Sequence, residues 1–296
     1  MKIRVSLLIA CLTWATGNAQ VDDRSISGFW DFKTATPLEN PATLGSRTEF
    51  TSTEAANFEK GSEDRAVAFV KSLGKFVGDE PWADRGQELT EGTRAALIID
   101  PANGKLPPRT QYGDSLAGGW KRQMMADLSG PEDRTLLERC VYNPVAPVRP
   151  SFFNNNLRIL ETPTHVLIYV EMIHEARIVP IVEPPVRHRM PPTYSGESLG
   201  YWDQETFVVH TRNFKPQTNH LGTSPQLHLI ERFTRKGSDQ LTYQFTIDDP
   251  EVFDAPWTAL QTFNRLDGLI YEYACHEGNS MDVMLRGARL ADDGSS

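Results

Sequence analysis

Apolar and polar residues alternate with a period of two through much of the second half of the chain, the spacing of strands with one buried face. The pattern predicts strands at Leu157 to Leu160, His165 to Tyr169, Thr206 to Arg212, Gln226 to Arg235, Leu241 to Ile247, Trp257 to Arg265 and Leu269 to His276. The second of these can continue through His174 to Val182. Turn signals at Lys236-Gly237-Ser238-Asp239, Asp248-Asp249-Pro250 and Asp267-Gly268 separate most of the later strands. Short connections make successive strands antiparallel neighbours, and this many strands favour a closed barrel or a sandwich.

The first half is more mixed. Ser27 to Phe32 is expected as a first strand, with Trp30 and Phe32 on one face, and Ala95 to Asp100 as a buried strand stopped by Pro101-Ala102-Asn103-Gly104. Helical spacing of Val67, Phe69, Val70, Leu73 and Phe76 predicts a short helix over Ala66 to Phe76. Two further helices are expected at Tyr112 to Leu128, weakened by Gly118-Gly119, and at Pro131 to Arg139. There is no repeat and no sharp change of composition, so residues 20–296 read as a single unit. Within it, 20–156 supply an N-terminal extension and the first strands, and 157–280 supply the main strands.

With 39% hydrophobic and 23% charged residues the chain is that of an ordinary globular protein, and its net charge of −9 argues against a nucleic-acid partner. Met1 to Ala19 has the form of a signal peptide: Lys2 and Arg4, an apolar run from Val5 to Thr16, then Gly17-Asn18-Ala19. That run is too short to span a bilayer as a permanent helix, so no stable membrane insertion is expected. Export to the periplasm and cleavage after Ala19 are expected, with a lipidated Cys11 as the competing reading. Once Cys11 leaves, Cys140 and Cys275 remain, most simply as a disulfide, otherwise as buried thiols or, least in keeping with an oxidising compartment, as a catalytic thiolate.

No metal or nucleotide signature occurs; there is no HExxH, no CxxC, no phosphate loop and no Gly-x-Ser-x-Gly, so neither a metal nor a cofactor is expected. Polar residues inside strands are what remain. In Leu269 to Asn279, Glu272 and His276 share one face and Tyr271, Tyr273 and Cys275 the other, which fits a solvated edge, a structural cluster or an acid/base site. Tyr169, Glu171, Glu175 and Arg177 share a face, with His174 opposite unless a bulge intervenes. Glu231 is aligned with Leu227, Leu229 and Phe233, and a carboxylate among apolar groups must find a partner or stay protonated. His228 and Arg232 flank it and join it as candidates, and His210 in Val208 to Arg212 is a further candidate, although such a residue is more often a satisfied core histidine. A barrel lumen with aromatic lining from Tyr169, Tyr273 and Trp257 suits an aromatic small-molecule acid, clamped by Arg177 or Arg232. General acid/base catalysis is the chemistry then open, with Glu231, Glu272, His174 and His276 as its candidates.

Several stretches together resemble a family of secreted bacterial proteins. They are Ala95 to Pro108, Pro131 to Arg134 leading to Arg139-Cys140, Ile159 to Pro163, Gly200 to Asp203, Ile230 to Phe233, Thr246 to Pro250 with Pro256-Trp257, and Glu272 to Asn279. The resemblance implies a mainly β fold, an antiparallel lipocalin-like barrel with an irregular and helical N-terminal extension. The family is in turn similar to lyases of sphingomonads that open and decarboxylate phenylcoumaran carboxylates derived from lignin dimers. That implies a cofactor-independent lyase, and it assigns no catalytic residue position by position. The alternative is a periplasmic carrier that binds an apolar acid unchanged.

Overall fold

Nine strands curl into a nearly closed antiparallel barrel because each carries a row of apolar side chains on one face only. The computed structural model describes residues 24–72, 86–119, 135–142, 146–151, 153–216, 222–275 and 277. The expected signal peptide with Cys11, and His276, lie outside these residues, as do 73–76, 120–128 and 131–134 of the expected helices. The strands are β1 (Gly28–Asp31), β2 (Ile98–Asp100), β3 (Asn156–Glu161), β4 (His165–Val170), β5 (Glu175–Pro180), β6 (Glu197–Asp203), β7 (Thr206–Arg212), β8 (His228–Lys236), β9 (Gln240–Asp248) and β10 (Trp257–Arg265).

Their order around the sheet is β5-β4-β3-β1-β10-β9-β8-β7-β6, with β2 paired to the start of β10. The seam lies between β5 and β6, where Ile181 bridges Gly200 in parallel and the Val182 amide donates to the Gly200 carbonyl at 2.8 Å. Gly200 also has to be glycine, since a Cβ there would enter the ring of Phe207. Inward residues fill the barrel: Leu157, Ile159, Val166, Ile168, Val179, Phe207, Val209, Leu229, Phe233, Tyr243, Phe245, Trp257 and Phe263 form one buried cluster with Trp30 and Phe32. At about 1.5–3 kcal/mol per large apolar side chain, this interior is the main source of stability.

The extension wraps the outside of β10. Helix α1 (Ser52–Lys60) contributes Ala55 and Phe58 to a small second core with Leu44, Phe50, Leu89 and Ala95, and α2 (Ser62–Ser72) follows it. A capping box starts α1, Thr51 accepting from the Glu54 amide and Glu54 accepting from the Thr51 amide. Residues 90–97 then run beside β10, where the Leu260 amide donates to the Leu97 carbonyl at 2.8 Å.

Several expectations are corrected. Leu269 to Cys275 is not a strand, and it cannot pair back on β10, where β9 occupies one side and β1 with β2 the other. The strand through His174 is broken after Val170: Ile173 and His174 turn the chain at φ 58° and 46°, so β4 and β5 form a hairpin. The helix from Tyr112 is the short α3 (Gln111–Leu116), after which Gly118 adopts φ 67°. Thr135 to Arg139 forms turns rather than helix, and α2 starts at Ser62, four residues before the apolar spacing that predicted it. Strand β6 lacks a plain alternation and was not predicted. Cys140 and Cys275 form a disulfide with a sequence separation of 135, which staples the turn at 135–140 to the chain after β10.

Candidate functional site

Alternation alone dictates where the polar residues of β5 and β8 point. Leu229, Glu231 and Phe233 face inward, so His228 and Arg232 face outward. On β5 the inward positions are Arg177 and Val179, and Arg177 lies opposite Ile168 of β4. Arg177 and Glu231 therefore meet inside the barrel, at 4% and 0% exposure, in a two-pronged ion pair of 2.7 and 3.0 Å. The Tyr243 hydroxyl donates to Glu231 at 2.7 Å and accepts from the Val148 amide at 2.9 Å.

Burial would by itself lower the Arg177 pKa, but the Glu231 carboxylate beside it raises the value overall. Burial first, and then the Glu231 charge, push Tyr243 well above the ordinary tyrosine value. Tyr142 is raised as well, by burial and then by Glu175. Arg177 thereby stays a cation and Tyr243 a neutral donor, the states in which each bonds Glu231. Tyr142 stacks on Tyr194 at 5.8 Å and covers the cluster from the disulfide-tethered turn, beside Glu175, which accepts from Ser195 Oγ at 2.5 Å. An enclosed ion pair of this kind specifies packing: both Glu231 oxygens are taken, and the Arg177 Nε, although it has no hydrogen-bond partner among the described residues, is buried away from solvent.

The other predicted site residues are dispersed. Tyr169 lies on the outer face, opposite Arg158 and Ala176, and Arg232 lies on the outer face of β8. His174 is exposed in the β4–β5 turn, and Glu272 is exposed in the irregular chain after β10. Trp257 is fully buried at the start of β10, while Tyr273 packs half-buried against the core. Of the predicted residues, the structure thus brings together Arg177 with Glu231, and Cys140 with Cys275.

A second polar cluster lies on the outside of β6, β7 and β8. Outward positions on β7 carry His210 and Arg212, the outward position at the start of β8 carries His228, and β6 contributes Tyr201. The proline-rich loop after β5 folds over them, so that Pro184, Pro185, Val186, His188, Tyr201, His210, Arg212 and His228 line a groove of about 350 Å³. Glu197 ties this loop down: its Oε2 accepts from the Arg189 amide at 2.7 Å and the Met190 amide at 3.1 Å. His188 Nδ1 is 3.4 Å from the same oxygen, a charge contact without hydrogen-bond alignment, and both ring nitrogens of His188 are buried without a hydrogen bond among the described residues.

Arg212 Nη2 lies 2.6 Å from His228 Nδ1, and His228 Nε2 lies 2.8 Å from His210 Nδ1. The His210 ring also stacks on Tyr201 at 5.9 Å. All three histidines are held below the free value by burial first: His228, down to about 4, then by Arg212 and the other two histidines; His210 then by His188, Arg232 and Arg212; and His188 by Arg212 against the opposing pull of Glu197. Arg232 adds to the positive field at His210. At neutral pH the groove therefore presents neutral imidazoles beside a guanidinium. That is a set suited to receiving an anion and to exchanging a proton with it.

Sequence reasoning singled out His210 and His228 separately but missed their grouping with His188, Tyr201 and Arg212, although His210 and Arg212 share a face by alternation. What it lacked was the register that brings β8 alongside and the loop that returns His188 over them. Among the described residues, no group of His, Cys, Asp or Glu is placed to hold a metal ion, and no helix is long and apolar enough to cross a membrane. Comparison of the chain with family models, curated proteins and solved structures gives no match, so the functional reading rests on the site itself.

Proposed function

We propose that the protein is a cofactor-independent lyase that acts by acid/base chemistry on an aromatic small molecule bearing a carboxylate, bound in the outer groove. One observation carries the reading: Arg212, Tyr201 and three neutral histidines open onto a single groove of about 350 Å³. That volume lies at the small end of the ~300–1,000 Å³ usual for ligand pockets. Arg212 gives one N–H to His228 and keeps further donors for a carboxylate. Tyr201 offers an aromatic wall.

The reaction of a dihydrobenzofuran carboxylate balances without an oxidant or cofactor. The bond to the carboxyl carbon breaks and carbon dioxide leaves. Its electron pair forms a carbon–carbon double bond as the ring carbon–oxygen bond breaks, and the leaving phenolic oxygen takes one proton. Such chemistry asks for a cation to orient the carboxylate and a donor near the leaving oxygen, worth ~10²–10⁴-fold in rate. The disulfide supports an oxidising compartment, in line with export through residues 1–19 to the periplasm.

The carrier reading draws less support, since the described inward side chains pack the barrel as a core. Incubation of the purified protein with phenylcoumaran carboxylates, followed by mass spectrometry, tests the proposal. Loss of carbon dioxide with appearance of a stilbene is expected, abolished in Arg212→Met. Recovery of every substrate intact overturns the lyase reading.

A further inference from the structure

Arginine in a protein is a donor only, whereas a histidine nitrogen donates or accepts according to its tautomer. That asymmetry fixes the direction of the chain on the outer face. Arg212 Nη2 at 2.6 Å can only donate to His228 Nδ1, so that nitrogen bears no proton. The proton of a neutral His228 then sits on Nε2, which at 2.8 Å must donate to His210 Nδ1. The same step repeats at His210, whose proton is left on Nε2. Among the described residues nothing accepts that last proton, and His210 lines the groove.

We infer that Arg212, His228 and His210 form a one-way hydrogen-bond chain that ends in a His210 Nε2–H donor, and that this donor receives a negatively charged oxygen of the ligand, a carboxylate or a leaving phenolate. The inference rests on the groove being the site proposed above and goes further by assigning roles within it. His210 touches the ligand. His228 and Arg212 are positioning residues that hold it in one tautomer and polarise its N–H, since hydrogen bonds in series reinforce one another.

The surroundings agree. Facing the chain from β8 is Arg232; from β6 come Glu197 and Tyr201, and from the loop His188, while Asp248 Oδ2 approaches His228 Nδ1 only to 3.9 Å. A proton on His228 Nδ1 would satisfy Asp248 but would have to displace Arg212. The depressed value of His228, about 4, keeps the doubly protonated ring unoccupied at neutral pH, and the Arg212 donor at 2.6 Å keeps the single remaining proton off Nδ1. A neutral histidine donor has a further merit, because it can stabilise an oxyanion without first being protonated.

The test is nitrogen NMR of the full protein labelled at its histidines, with residue assignments from single His→Gln variants and benzoate as the probe. At pH 7, His210 and His228 should each show a proton-bearing Nε2 and a bare, accepting Nδ1. In Arg212→Met, His228 should relax toward a mixture of tautomers, a change that a merely structural arginine would not cause. Saturating benzoate should shift the His210 Nε2 resonance more than any other histidine nitrogen. A proton on His228 Nδ1 in the native protein overturns the chain. Benzoate that leaves His210 Nε2 unmoved overturns the donor role. Tautomers as expected with no lyase turnover would sink the proposed reaction and leave the chain standing, so the two failures are separable.

Discussion

Glu231 and Arg232 are neighbours on one strand, yet they belong to two polar clusters that differ in every physical respect. Inside the barrel, Glu231 meets Arg177 and Tyr243 with no exposure, both carboxylate oxygens taken and a tyrosine covering them. Outside, Arg232 adds to the positive field at His210, one of three half-buried histidines that line a groove with Arg212. Charge buried in low dielectric survives when it is paired, and here the pairing leaves only the Arg177 Nε without a partner among the described residues, enclosed at 4% exposure. A site needs the opposite, a group whose last bond is left for the ligand. A single residue of alternation therefore separates a buried, paired cluster from one on the outer face.

The largest test breaks the inner cluster. Glu231→Gln leaves Arg177 buried without a counter-charge, and this should cost about 3–5 kcal/mol, read as a fall in urea midpoint at unchanged slope. Replacing both partners at once, Arg177→Met with Glu231→Leu, should recover most of the loss. If Glu231→Gln is as stable as the parent, the pair does not specify the packing of the barrel.

A second break acts on the cover of that pair. Tyr142 stands two residues from Cys140, and the disulfide closes a span of 135 residues. The double variant Cys140→Ser with Cys275→Ser should lose about 2–4 kcal/mol of unfolding free energy, less than the ~5 kcal/mol of the chain-entropy model. Denaturant titration of the variant against the oxidised parent measures it. A smaller loss, about 1–2 kcal/mol, is expected for Tyr243→Phe, which deprives Glu231 of one donor and the Val148 amide of its acceptor.

How much of this was legible follows from what period two can and cannot carry. It placed β7, β8, β9 and β10 nearly to the residue, and it marked Glu231 as an inward carboxylate that required a partner. It could not name that partner, because Arg177 is contributed from across the seam and its orientation depends on the tight turn at Ile173 and His174. Tyr169 and Arg177 seemed to share a face until that turn reset the alternation between them. Leu269 to Cys275 carries a convincing strand pattern, but the strand before it, β10, is already paired on both sides, a constraint that exists only once the sheet is assembled. The groove needs a register between β7 and β8 and a loop 22 residues before His210, and local spacing encodes neither.

The smallest effect separates the clusters by pH. The outer histidines are held neutral, with His228 at about 4 against the free value near 6.5. Because the folded form resists protonation that the unfolded chain accepts, their contribution is whole above about 6.5. It declines as the pH falls, and the loss is complete below about 4. Carboxylates titrate over part of the same range, so the comparison has to be made against a variant that removes only the histidine. Thermal melts of the parent and of His228→Gln between pH 7 and pH 4 should converge, since glutamine is not protonated and the variant escapes this part of the acid destabilisation. The inner cluster should not contribute to the difference, because Arg177 and Tyr243 are shifted upward, away from this window. Parallel melting curves across the whole window would show that His228 is not held neutral by the fold, and the outer cluster would then lose the electrostatic distinction drawn between it and the barrel interior.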